Sequence, residues 1–109
     1  MNRAQALEQI ITFGDKIELA YSELAKFEWD SDIEHFTVSK EVLISILSKY
    51  LANEINSEEL EDWANFIECR DDTDYESVED YIYSLANPVL VGNITKPKIE
   101  KMVELLKAS

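Results

Sequence analysis

The chain has 109 residues, a formal net charge of −13, and 46% hydrophobic residues that include five Tyr, four Phe and two Trp. That is apolar matter enough for one folded domain, in spite of a charge that pulls toward disorder. Two glycines and two prolines are too few for a protein of many short strands, and they exclude phosphate loops of the G-x-G-x-x-G or Walker kind, which need several glycines for close backbone approach. A lone cysteine excludes an internal disulfide and a multi-cysteine zinc site. The expected architecture is all-α, a compact single-domain bundle of about five helices over residues 1–109.

The opening "MNRAQALEQIITFG" is interrupted by Glu8 and Gln9 before an apolar signal core can form. No apolar run approaches the roughly eighteen residues of a membrane span. A bacterial-type cytoplasm and no membrane partner are therefore expected. From Arg3 to Phe27, Leu7, Ile10, Ile11, Ile17, Tyr21 and Leu24 share one side of a 3.6-residue repeat, predicting one long helix or two short ones with a break at Gly14. "EWDSDIEHFT" mixes acids with Trp29, Ile33 and Phe36 without either period and reads as a partly packed loop. Thr37 then precedes "VSKEVLISILSKYLANE" as a capping residue, and Val38, Val42, Leu43, Ile46, Leu47, Tyr50 and Leu51 mark a helix near the centre of the core.

In "INSEELEDWANFIEC", Asn56 is an N-cap, Glu59 closes a capping-box-like pair, and Ile55 is placed to staple onto Leu60. Leu60, Trp63, Ala64 and Ile67 form its inner face, with Glu58, Glu61, Asp62, Asn65 and Glu68 opposite. "DYESVEDYIYSLAN" predicts a fourth helix with Val78, Tyr81, Ile82 and Leu85 inward, stopped by Pro88. "PVLVGN" reads as an apolar turn. Thr95 caps a last helix that tolerates Pro97 in its first turn and turns Ile99, Met102, Val103 and Leu106 to the core.

Charge is the feature that asks for a function. Between Glu54 and Asp80 stand twelve acids and one base, Arg70, whereas the last helix has four lysines against two glutamates. Along the helix after Asn56, Glu58/Glu61, Glu58/Asp62 and Glu61/Glu68 line one flank without a lysine at i+4, each adjacent like-charge pair costing roughly 0.2–0.5 kcal/mol. A solvated helix of mixed sign would recover that energy. Such a field steers a basic partner and repels phosphates, so a basic protein is the expected partner and nucleic acid is not. Tyr75 and Tyr83, beside the acids, are the aromatic contact candidates, while the spacing of Tyr81 favours the core.

Other chemistries find less support. In "DTDYES", Asp72, Asp74 and Glu76 occupy positions 1, 3 and 5 of a calcium loop, but Ser77 stands where glycine and Tyr83 where glutamate is required. His35 has Glu34 and Asp32 beside it but no placed nucleophile, and carboxylate pairs at catalytic separation arise by chance among so many acids. Cys69 and Trp63 read as packing residues, Trp29 as packing or contact, and Arg70 as an internal partner of Asp71, Asp72 or Glu68. No catalytic residue, metal, cofactor or small-molecule substrate follows from any of this, and a non-enzymatic protein is expected.

Three pieces, the "I-x-S-x-E-L-x-x-W-A" helix from Ile55, the "I-E-x-R-D-D" turn from Ile67 and "L-A-N-P" from Leu85, resemble a family of small acidic bacterial proteins. Its members include immunity proteins of contact-dependent growth inhibition and related polymorphic toxin systems, and the likeness runs over roughly Val38 to Thr95. The resemblance implies a non-catalytic cytoplasmic protein bound tightly to a cognate basic toxin, often an RNase or DNase domain, whose cleft it occludes. It also implies that Trp63, Arg70 and Asn87 determine the fold. Contacts are then expected at Asp74, Tyr75, Glu76, Glu79 and Asp80, with Asp71, Asp72 and Tyr83 beside them and the loop bearing Trp29 and Asp32 as a second region. The alternative is an acidic adaptor or nucleic-acid mimic that regulates a host nucleic-acid-binding protein.

Overall fold

The computed structural model describes residues 2–26, 36–70 and 73–108. Helix α1 (Arg3–Ile11) starts from a reciprocal cap: Asn2 Oδ1 accepts from the Gln5 N–H at 2.8 Å and Gln5 Oε1 accepts from the Asn2 N–H at 3.0 Å. Ala6, Leu7, Ile10 and Ile11 are its buried side. The chain then turns through Phe13, whose φ of 53° ends the helix. Gln9 folds its side chain over Gly14 and accepts from the Lys16 N–H at 3.0 Å. A Cβ on Gly14 would meet the Gln9 amide, so the predicted break at glycine is a place where a side chain needs the room.

Helix α2 (Ile17–Leu24) packs back on α1 through Ala20 and Leu24. The two-helix option is the one the chain adopts, and it corrects the predicted face: Ile17 is half-buried and Tyr21 is 49% exposed. A single 3.6-residue phase cannot run through the turn, so α2 turns a different set of positions inward.

Strand β1 (Phe36–Thr37) pairs in parallel with strand β2 (Thr73–Asp74), Phe36 opposite Thr73 and Thr37 opposite Asp74, and the Val38 N–H extends the ladder to the Asp74 carbonyl at 2.7 Å. Thr37 is thus part of a strand. Helix α3 (Lys40–Leu51) is capped instead by Ser39, whose Oγ accepts from the Val42 N–H at 3.2 Å. Leu43, Ile46, Leu47 and Tyr50 are buried, Val42 and Leu51 are half-buried, and α3 packs against α7 and α4.

Helix α4 (Ser57–Glu68) has the predicted reciprocal cap, Asn56 Oδ1 accepting from the Glu59 N–H at 2.8 Å and Glu59 Oε1 from the Asn56 N–H at 3.1 Å. Its buried residues are Leu60, Trp63, Ala64 and Ile67. The Trp63 indole Nε1–H donates to the Ile11 carbonyl at 2.9 Å, which joins α4 to the end of α1. A 3₁₀ turn (Glu76–Val78) leads into α5 (Glu79–Ala86), packed along α4 with Ile82, Leu85 and Ala86 buried and Tyr81 half-buried.

"PVLV" departs from the expected turn: it forms a one-turn helix, α6 (Pro88–Val91), with proline at its start, where a missing N–H costs nothing. Helix α7 (Lys96–Ala108) begins after Thr95 and buries Ile99, Met102 and Leu106 against α3. Seven α-helices and a two-residue parallel ladder therefore stand among the described residues where about five helices were expected. The difference lies in the divided first helix and in α6, while the all-α character is as predicted. No helix among the described residues is long and apolar enough to cross a membrane.

Candidate interaction surface

Helix α4 organises the acidic surface: Leu60, Trp63, Ala64 and Ile67 are buried, Glu58, Glu59 and Asp62 are exposed, and Glu61 and Glu68 are half-buried between the two faces. Glu58 and Glu59 sit in its first turn, where the exposed N–H groups favour negative charge. Glu61, Asp62 and Glu68 continue past that region, and no base stands in the last turn to answer the carbonyl end. Among the described residues none of Glu58, Glu61, Asp62, Glu68, Glu76, Glu79 or Asp80 has a lysine or arginine within 4.0 Å; the ion pairs Lys26–Glu23 (3.4 Å) and Lys49–Glu54 (4.0 Å) lie elsewhere. Lysines that could have neutralised acids serve the backbone instead. Lys96 Nζ donates to the carbonyls of Tyr50 and Leu51 and to Asn53 Oδ1, and Lys98 Nζ donates to the Gly92 carbonyl at 2.9 Å.

The predicted contact residues divide by environment. Glu76, Glu79, Asp80 and Tyr83 are exposed around the start of α5, with Tyr83 at 50%. Asp74 is half-buried, one carboxylate oxygen accepting from the Glu76 N–H at 3.1 Å in a local turn that starts the 3₁₀ segment. Tyr75 is half-buried against the core, so its ring belongs in part to the fold. Trp29, Asp32, Asp71 and Asp72 lie outside the described residues, as do His35 and the loop around it.

One packing assignment changes. Cys69, expected to be packed, is exposed at the C-cap of α4. It falls where α4 ends, one position beyond the buried stripe. Arg70 is buried, with its guanidinium 5.3 Å from the centroid of the Phe66 ring, in keeping with a fold-determining role; the predicted pairing with Asp71 or Asp72 reaches outside the described residues. Among the described residues no group of three carboxylate, histidine or cysteine side chains converges as metal ligands would.

On the flank of α4 that faces α2, the structure assembles a feature that the periodicity assigned to the core. Tyr21 meets Phe66 edge-to-face at 5.9 Å between centroids. Beside it Ile10, Phe13, Ile17, Tyr21 and Trp63, with Glu59 and Asp62, line a cavity of about 180 Å³. Partial burial, and secondarily the charge of Asp62, raise the Tyr21 phenol above its ordinary value of 10.0. The sequence signal for this groove is only the presence of Asp62 one turn before Phe66; its other wall comes from a helix some forty residues earlier. No family model, curated protein or solved structure matches this chain.

Proposed function

We propose that the protein is an immunity-type inhibitor, binding a cognate basic toxin domain, an RNase or DNase by class, and occluding its nucleic-acid cleft from the bacterial cytoplasm. The observation that carries this reading is the set of seven carboxylates on α4, the 3₁₀ turn and α5 that no lysine or arginine among the described residues approaches within 4.0 Å, while Lys96 and Lys98 serve backbone carbonyls and Lys26 and Lys49 pair with acids elsewhere. Keeping like charges together costs folding stability, and the field they make is recovered as attraction only when a positive surface arrives. In the complex the acidic face takes the place of the phosphates that the toxin's cleft was built to hold, without offering a scissile bond. Charge steers the encounter, and aromatic and apolar contacts behind the acids hold the partner.

The test is a pull-down from the producing bacterium with tagged protein at about 50 mM and about 500 mM salt, between which the screening length falls severalfold. Retention of a single basic nuclease-like domain at both salt concentrations, with slower association when Glu76, Glu79 and Asp80 are changed to their amides, is the expected result. A shifting mixture of basic proteins lost at high salt points instead to a general polyanion mimic and ends the immunity reading.

A further inference from the structure

The acidic surface explains attraction to a basic protein but not where that protein is gripped, and Coulomb attraction between exposed groups is weak and screened by salt. A grip requires a concave, partly apolar place with charge at its rim. The cavity between α2 and α4 is such a place. Trp63 and Ile10 are almost fully buried at its base, Phe13 and Ile17 are half-buried, and Tyr21 stands half-exposed beside it. Among the described residues Glu59 and Asp62 are the charged ones of its lining, both exposed, and no lysine or arginine lines it. One oxygen of Glu59 is taken by the cap of α4, while Asp62 has no basic partner among the described residues.

At about 180 Å³ the cavity is smaller than the roughly 300–1,000 Å³ of sites for whole small molecules, and fits a single inserted side chain. The charge selects a cation. Aromatic walls select a flat one, since a guanidinium stacks on a ring face and forms paired hydrogen bonds to a carboxylate, whereas an ammonium is a strongly hydrated point charge. The molecule already makes one such contact on the same flank of α4, where Arg70 lies over Phe66.

We infer that the groove between α2 and α4 receives an arginine side chain of the basic partner protein, its alkyl stem over Ile17 and Trp63, its guanidinium against Tyr21 and Asp62. This deepens the proposed function and rests on it for the partner's class, but the groove can be probed without the partner. The probe is an N-acetylated, C-amidated Gly-Arg-Gly peptide titrated into the full chain, with the citrulline peptide, equal in shape and uncharged, as control. NMR of the Trp63 indole N–H and the Phe13 and Tyr21 rings reads occupancy. Saturable shifts there with the arginine peptide, absent with citrulline and weakened about tenfold in Asp62→Asn, are expected from the loss of one charged hydrogen-bond acceptor. Asp62 is exposed, so folding is not at stake, and Tyr21→Leu gives a second variant that removes the ring alone.

Equal shifts from citrulline, or arginine shifts that Asp62→Asn leaves unchanged, overturn the inference. The pull-down separates its failure from that of the function. Loss of the toxin domain on changing Glu76, Glu79 and Asp80 but not on changing Asp62 and Tyr21 overturns the groove and leaves the immunity reading standing. Specific arginine-peptide binding in the groove, with no basic domain retained from the bacterium, supports the groove and removes the immunity reading.

Discussion

Tyr21 shows how one side chain can be counted correctly as aromatic and placed wrongly. Its spacing from Leu7, Ile10, Ile11 and Leu24 is core-like, yet half of it meets solvent while the rest touches Phe66 and the groove. Its phenol is raised by partial burial first and by Asp62 second. The sign of the consequence follows from linkage. Above pH 10.0 the unfolded chain gives up this proton before the folded chain does, so the contribution to stability is present below that pH and is lost as pH rises through the folded value. In Tyr21→Phe the alkaline decline of unfolding free energy is therefore expected to be shallower than in the parent, as measured by urea titrations at successive pH values. Parallel declines would contradict the assigned shift. Trp63, by contrast, sits where its spacing put it, and only its indole bond to the Ile11 carbonyl, 52 residues away in sequence, lay beyond local reading.

Among the elements, α4 was the most legible, because a capping box and an amphipathic stripe are both written within fifteen residues. The start of α3 was misread for the opposite reason. Thr37 and Ser39 are both capping types, and the choice between them is made by Asp74, which recruits Thr37 into a parallel ladder across 37 residues of sequence. The joint between α3 and α7 was not legible either. Lys96, counted as one of the basic residues of the last helix, donates to the Tyr50 and Leu51 carbonyls at the end of α3 and to Asn53 Oδ1, with its ammonium 4.3 Å from the Tyr50 ring centroid. Both carbonyls lie in the last turn of α3, where Tyr50 also accepts from the Asn53 N–H at 3.1 Å, so a cation there adds a charged donor at the negative end of the helix. Lys96→Met is expected to cost about 1.5–3 kcal/mol, the range for hydrogen bonds to charged groups, seen as a lower urea midpoint at unchanged slope. A midpoint unaltered by the change would mean that the lysine only decorates the joint.

At the scale of the whole molecule, the excess of acid sets folding and binding against one another. With a net charge of −13, the folded state concentrates repulsion that the expanded chain spreads out. Raising salt from about 20 mM to about 500 mM is expected to raise the melting temperature of the isolated protein while slowing its association with a basic partner. A melting temperature that falls or stays flat over this range would place the acids in favourable internal pairs after all. The sequence by itself determined the all-α class, the caps and inner face of α4, the inward residues of α5 and α7, and the polarity of charge along the chain. Each of these depends on neighbours within a turn or two of helix, or on simple composition. Only the tertiary structure decided that α1 and α2 fold back on one another, that two distant dipeptides pair in parallel, that Lys96 closes α3, and that Tyr21 and Asp62 form the walls of one groove. Those outcomes are contacts between segments far apart in sequence, set by how the whole core fills space, and no local period or capping signal encodes them.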